Sequence, residues 1–313
     1  MKKLTKIFAF ISSVIMALVV FTGCGATETK LTLATGGAAG TYYAYGQSLA
    51  NIVTENTNVK VSAVTSGASA ANILQISNMQ ADIAIVQNDV AYYAYTGTDL
   101  FADKGEQKDI RIVGYMYSEV CQIVARDGIN SIEDLRGKRV SVGDAGSGVE
   151  FNAKQILEAY GITYEDIDEQ YLSFSEAANG LKDGNIDAAF LTAGYPTAAI
   201  QDIAAQNAVR MLPVDAAKAD ALVAKYPFYA KSVIPAGTYP GQNADVPGVA
   251  VKAMLVVTDK MSADDCYAIT KALYSNLDRI KASHNVGGLI TKDGAREGMS
   301  LTLNPGAEKF FNE

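Results

Sequence analysis

The sequence has no tryptophan, one histidine (His284) and only three cysteines (Cys24, Cys121 and Cys266) in 313 residues. So little histidine removes most nucleophilic and metal chemistry. A Ser-His-Asp or Cys-His device would have to use His284, which lies in the polar stretch Lys281-Ala282-Ser283-His284-Asn285, with neither Cys121 nor Cys266 nearby in sequence. No Cys/His cluster suits zinc, no Asp/Asn series matches a calcium loop, and no Gly-x-Ser-x-Gly elbow occurs. Paired carboxylates can still catalyse without histidine, but the expectation is a protein that is not an enzyme, with no metal and no cofactor. Cys121 and Cys266 lie far apart and read as small buried hydrophobes. An extracytoplasmic location would also permit a disulfide, which one pair does not establish. A basic tract is absent too, and the formal net charge is −8. That balance argues against nucleic acid and anionic lipid as partners.

Long apolar runs are missing apart from one at the start. Lys2, Lys3 and Lys6 precede an apolar or small stretch from Ile7 to Val20, followed by Phe21-Thr22-Gly23-Cys24. A basic start, a short apolar core and small residues at a cut site make a secretory signal. A single transmembrane anchor is the alternative, but the run falls short of the about 20 residues a span needs. Thr-Gly-Cys is similar to a bacterial lipobox, in which the cysteine left after cleavage carries lipid. Cys24 is therefore the expected lipidation site, and acyl chains would hold the protein to the outer face of the cytoplasmic membrane. Removing residues 1–23 leaves 290 residues and takes away three lysines and no acid, so the charge becomes −11. That length can bury one large or two medium cores.

Beyond a tether over 24–30, strands and helices alternate. Strands are expected at Leu31–Thr35, Val59–Thr65, Ile83–Gln87, Ile110–Tyr117, Gln122–Ala125, Arg139–Val142, Asp168–Ser173, Ile186–Thr192, Val209–Pro213 and Val249–Thr258. Helices are expected between them, including Tyr42–Val53, Ala68–Met79, Val149–Tyr160, Ser175–Lys182, Pro196–Gln206 and Ala216–Lys225. Asn88 or Asp89 is expected to cap a further helix, and Ser131 with Asp134 reads as a capping box. This alternation specifies two α/β units with mostly parallel sheets, the second inserted in the first. Lobe I is expected over 31–118 plus 246–313 and lobe II over 119–245. Two crossing strands would join them, with a ligand cleft between.

Two segments share one construction. Leu31–Thr35 leads through Gly36-Gly37-Ala38-Ala39-Gly40-Thr41 into a helix, and Arg139–Val142 leads through Gly143-Asp144-Ala145-Gly146-Ser147-Gly148 into another. Glycine lets a ligand approach the backbone, and the first helical N–H groups have no internal partner. Each loop is thus either a tight turn or a cradle for an anion. Neither is a P-loop nor a dinucleotide fingerprint. Arg111, Arg126, Arg136, Arg139 and Arg210 fall outside both loops, so a carboxylate would be held by backbone N–H groups and by Thr41, Ser66 and Ser147. Asp89 could receive an ammonium group or cap a helix, Gln87 could donate or accept, and Glu119 is a second acid for the cleft or a solvated hinge charge. The tyrosines at 42, 43, 92, 93, 95, 115 and 117 are core or rim, with one or two walling a pocket.

The residues also carry a family resemblance. Ala34-Thr35-Gly36-Gly37-Ala38-Ala39-Gly40-Thr41-Tyr42-Tyr43, Thr65–Ser69, Gln80–Asp89, Asp134–Gly143 with Gly146-Ser147-Gly148, Asp183–Ala188 and Ile234–Tyr239 follow in order along nearly the whole mature chain. In these the chain resembles the TAXI-type substrate-binding receptors of TRAP (tripartite ATP-independent periplasmic) transporters. The resemblance implies a type II periplasmic-binding-protein fold of the α/β class. It implies a receptor that passes a small amino acid or carboxylate, such as glutamate or glutamine, to a cation-coupled membrane permease without ATP hydrolysis. An ABC-type receptor or a non-transport surface lipoprotein remains the alternative. Ala38, Ala39 and Ala44 stand where the family would have Thr, Gly and Pro, which bears on ligand identity more than on binding mode. The candidate ligand-binding set is Gly37, Gly40, Thr41, Tyr42, Tyr43, Ser66, Gln87, Asp89, Gly146, Ser147, Gly148, Gly194 and Pro196.

Overall fold

The computed structural model describes residues 28–206, 210–297 and 301–313. The expected signal segment, Cys24 and most of the tether lie outside the described residues. Ten strands form one sheet: β1 (Thr29–Ala34), β2 (Val59–Val64), β3 (Ile83–Gln87), β4 (Ile110–Ala125), β5 (Arg139–Ser141), β6 (Asp168–Gln170), β7 (Ala188–Ala193), β8 (Arg210–Met211), β9 (Ala230–Ile234) and β10 (Val246–Thr258). The helices are α1 (Thr41–Asn56), α2 (Ser69–Ser77), α3 (Asn88–Thr96), α4 (Gly148–Ala159), α5 (Phe174–Asp183), α6 (Ala198–Ala204), α7 (Ala216–Lys225), α8 (Ala263–Tyr274), α9 (Leu277–Ser283) and α10 (Pro305–Phe311). The strand order is β2-β1-β3-β10-β4-β7-β5-β6, with β8 on β4 and β9 on β10.

Parallel pairing is confined to the two ends, β2-β1-β3 and β7-β5-β6, while the centre is antiparallel. The expectation of two mostly parallel sheets is thereby corrected: β4 and β10 run on from one end to the other and weld them into one. Expected as two strands, Ile110–Tyr117 and Gln122–Ala125 are a single strand, because Ser118 and Glu119 pair with Lys252 and Val251 and leave no turn. Register shifts interrupt the β4–β10 ladder between Lys252 and Met254 and between Leu255 and Val256. Such irregularities bend a strand and increase its twist.

Burial of both faces explains the apolar runs. Along β10, Ala253, Leu255 and Val257 enter one core and Met254 and Val256 another, while nearer its start Val249 and Val251 enter a third and Ala250 a fourth. Each parallel end is thus clad twice. Over the first end, α1, α8 and α10 cover one face through Tyr45, Leu49, Ile269 and Phe310, and α2 and α3 cover the other through Ile73, Ile76 and Val90. Over the second, α4 and α7 supply Val149, Ile156 and Leu222, and α5 and α6 supply Leu181 and Ile200. Cys121 and Cys266 are free and buried, as the hydrophobe reading expected.

Local corrections have local causes. α3 starts at Asn88, and Gln87 in the N-cap position makes no side-chain cap. The Asn88 side chain accepts instead from Lys252 N–H of β10. Ser131 opens only a 3₁₀ turn at Glu133–Leu135, yet the Asp134 carboxylate does accept the Asn130 and Ser131 N–H groups. β9 had no sequence signal, since three of its five residues are exposed; its pairing with β10 makes it a strand. Of Val209–Pro213 only Arg210–Met211 forms a strand, and Val209 lies outside the described residues.

One buried side chain ties the first end together. Asn72 on α2 donates to the carbonyls of Thr35 (2.6 Å) after β1 and Ile85 (2.7 Å) in β3. Asn72→Ala should therefore lower the unfolding free energy by about 2 kcal/mol, checked by urea denaturation, because two buried carbonyls lose their donor.

Candidate functional site

The carboxyl ends of the parallel strands from both halves of the sheet point at one another across a cavity of about 50 Å³. Its wall comprises Gly36, Gly37, Gly40, Thr41 and Tyr42 after β1, Ala68 and Ser69 after β2, and Gln87 at the end of β3. Opposite stand Asp144, Ser147, Gly148 and Val149 after β5, Phe174 after β6, and Thr192 and Ala193 of β7. Glu119, in the middle of β4, is the wall residue on the crossing strands. Ligands in open α/β sheets bind outside such strand ends.

Helix starts ring the cavity. α1 and α2 begin at Thr41 and Ser69 with no side-chain cap, so their first N–H groups remain available. α4 begins at Gly148, with Ser147 Oγ accepting from Glu150 N–H. Close approach across the cavity explains one glycine: a Cβ on Gly148 would overlap the Gln87 amide, whereas one on Gly40 would make only ordinary contact with Phe174.

Glu119 is 1% exposed, and the Tyr42 hydroxyl donates to its Oε2 at 2.7 Å. Burial pushes the Glu119 carboxyl well above the usual carboxylate range, with the Tyr42 hydrogen bond opposing and the nearby Asp89 charge adding. Burial, and next the Glu119 charge, push the Tyr42 phenol up, so it stays a donor. Asp144 is half-buried and its carboxyl is also raised, by burial and then by Glu176. The solvated-hinge alternative for Glu119 is thus excluded by its burial.

Of the expected set, Gly37, Gly40, Thr41, Tyr42, Gln87, Ser147 and Gly148 line the cavity. Tyr43, Ser66, Asp89, Gly146, Gly194 and Pro196 stand outside its wall, and most have other partners. Ser66 Oγ accepts from Ala68 N–H. The Gly146 N–H is taken by the Glu150 carboxylate. The Gly194 carbonyl accepts from Thr41 Oγ1 at 3.1 Å and from Thr197 Oγ1 at 2.9 Å, a tie between the two halves. Pro196, after a cis peptide, lines a separate surface depression with Ser118 and Leu289. Tyr43 is half-buried on α1, away from the wall.

Asp89 is the clearest departure. It is 1% exposed but faces a buried polar chain behind the cavity. Oδ1 accepts from Val90 N–H and Oδ2 from Asn152 Nδ2 of α4 at 3.1 Å. Asn152 also donates to Tyr229 Oη, Tyr229 donates to Gln155, and Gln155 donates to Tyr93 on α3. The buried acid that reaches the cavity is Glu119, beside the half-buried Asp144. Among wall residues outside the expected set, Gly36, Asp144 and Val149 sit in or beside the two glycine loops, and Ala68 and Ser69 in the Thr65–Ser69 motif. Phe174 has no local signal; only the β6-to-α5 connection brings it here. The single histidine is occupied elsewhere: His284 Nδ1 accepts from Val286 N–H. Among the described residues no group of three or more His, Cys, Asp or Glu side chains could hold a metal ion, and no helix is long and apolar enough to cross a membrane.

The architecture has solved counterparts. The ligand-binding component of an ABC-type import system from Staphylococcus aureus, solved with zinc bound, superposes with a TM-score of 0.53 over 90% of this chain and 89% of that one at 11% identity. A protein from Bordetella bronchiseptica RB50 gives 0.54 over 84% and 78% at 14% identity. The periplasmic aliphatic sulphonate-binding protein of Escherichia coli gives 0.46 over 82% and 78% at 14% identity. The fold is that of a periplasmic-binding-type ligand receptor, as expected. The chain itself belongs to the NMT1-like family, whose pattern it matches over residues 33–313.

Two outcomes follow from this geometry. Asp89 is pushed up to about 6 by burial, from 3.8. Its folded form therefore holds a proton that the unfolded chain releases, and stability falls as pH rises from about 4 to about 6, then levels. Comparing chemical denaturation at pH 4 and pH 7, Asp89→Asn should gain up to about 3 kcal/mol on the wild type. Gly148→Ala should weaken ligand binding by about tenfold or more in calorimetric titration, since its methyl would hold the two cavity walls apart.

Proposed function

We propose that this protein is the extracytoplasmic solute-binding receptor of an import system. It captures a small amino acid or carboxylate, such as glutamate or glutamine, and delivers it to a membrane permease. The observation that carries the reading is the cavity itself. Six parallel strand ends and three helix N-termini from two halves converge on one small space at the crossing strands. Lobe I spans 31–118 with 246–313, and lobe II spans 119–245, so the ligand is held where the lobes meet. Hinge rotation about β4 and β10 would open and close it. The protein works without catalysis or cofactor, and Cys24 carries the lipid that anchors it to the outer face of the cytoplasmic membrane.

The partner is a cation-coupled TRAP-type permease on the strength of the ordered motifs from Ala34 to Tyr239. An ABC-type partner is the second reading, favoured by the fold likeness to the Staphylococcus aureus component. Uptake into vesicles carrying the permease separates them: a sodium gradient without ATP drives the first, and ATP hydrolysis the second.

Thermal unfolding of the purified protein, followed by circular dichroism because tryptophan is absent, checks the receptor role. A cognate amino acid or carboxylate at a hundredfold excess over Kd should stabilise the fold by about 2.7 kcal/mol. Protein free of carried-over ligand that responds to no amino acid or carboxylate would count against this reading.

A further inference from the structure

The cavity wall is one-sided in charge. Among the described residues that line it none is Lys or Arg, and two, Glu119 and Asp144, are acids. The helix starts at Thr41, Ser69 and Gly148 favour one negative group through their free N–H groups and dipoles. The rest of the wall asks for the opposite chemistry. Glu119 is 1% exposed, and its one side-chain partner of opposite polarity is a neutral phenol, Tyr42. Gln87 is 2% exposed, and its Oε1 is a buried acceptor with no hydrogen-bond partner among the described residues. An acid and an unsatisfied amide oxygen, buried together at one wall, are costly unless a donor meets them.

Resting on the receptor reading above, we propose that the ligand carries a protonated amine beside an anionic group, and that Glu119 receives that amine. The anionic group lies against the helix starts, and the amine against Glu119, with Gln87 Oε1 as a second acceptor. Simple carboxylates and dicarboxylates are then poor ligands. They would leave Glu119 and Gln87 unmet, and a second carboxylate would face an acid with no cation on the wall to offset it. Glu119 is the specificity-determining residue, and its place on β4 puts recognition of the amine at the crossing between the halves.

Calorimetric titration with pairs that differ only in the amine tests this: L-alanine and propionate, L-glutamine and 5-amino-5-oxopentanoate, L-glutamate and glutarate. In the wild type, the amine-bearing member of any pair that binds should be at least about tenfold tighter than its partner. Glu119→Gln keeps an acceptor for Tyr42 and removes the charge; it should shrink that ratio to about threefold or less, with the amine-free member unchanged or tighter. Asn72→Ala, which loosens the fold at a residue outside the wall, is the structural control: it should lower stability without moving the ratio. An amine-free compound that binds as tightly as its parent, or an unchanged ratio in Glu119→Gln, overturns the inference and leaves the receptor reading standing. Should Glu119→Gln fail to fold, the wild-type ratios alone decide. Binding by no compound of the panel overturns this inference and the amino acid or carboxylate reading together.

Discussion

The antiparallel pairing of β4 with β10 is the constraint on which the rest of the structure depends. These two strands carry the backbone hydrogen bonds from one half of the sheet to the other, from Ile110 with Thr258 to Val120 with Ala250. Each is buried on both faces, so each contributes to all four apolar cores. Because the parallel strands on either side run toward this seam, their carboxyl ends must face each other. The cavity is a consequence of that topology rather than of any one loop.

Local chemistry then decides how close the halves can come. Glycine at 148 lets the Gln87 side chain approach backbone across the gap. Thr41 ties the start of α1 to the Gly194 carbonyl, and the chain Asp89–Asn152–Tyr229–Gln155–Tyr93 ties α3 to α4 behind the cavity. Buried polar groups of this kind are expensive singly and stabilising when satisfied, so they favour one arrangement over its neighbours. Glu119 stands apart from this pattern. Its carboxyl is buried at the seam and lines the cavity, with Tyr42 as its one side-chain donor.

Much of the fold was legible because burial leaves a periodic trace. The helix Ala216–Lys225 and the strand Ile83–Gln87 occur with the expected bounds, since each has the length, apolar pattern and flanks of its type. The two glycine loops were legible as backbone features and, with the helix starts they lead into, gave six of the seven expected wall residues, Gln87 coming from the end of β3. Less legible were elements whose identity is set by a partner. β9 is exposed and strand-like only through β10, and the supposed break at Ser118 vanishes because β10 pairs across it. Asp89 and Glu119 illustrate the same limit at the site. Both are acids next to strands that become buried, and nothing in their flanks says which one turns toward the cavity.

Taken alone, the sequence determined the class of this protein: alternating strands and helices, two glycine-started helices, and too little histidine and cysteine for the common catalytic and metal devices. Those are properties of short segments, because secondary structure, turns and motifs depend on neighbours within a few residues. Tertiary structure alone decided that the two halves share one sheet, that Phe174 joins the wall, and that Glu119 rather than Asp89 supplies its buried acid. Each of these rests on contacts between residues tens to more than a hundred positions apart, whose register is set by strand pairing and packing. Tyr42 reaching Glu119 and Gln87 reaching Gly148 are contacts of that kind, and only the assembled sheet brings them together.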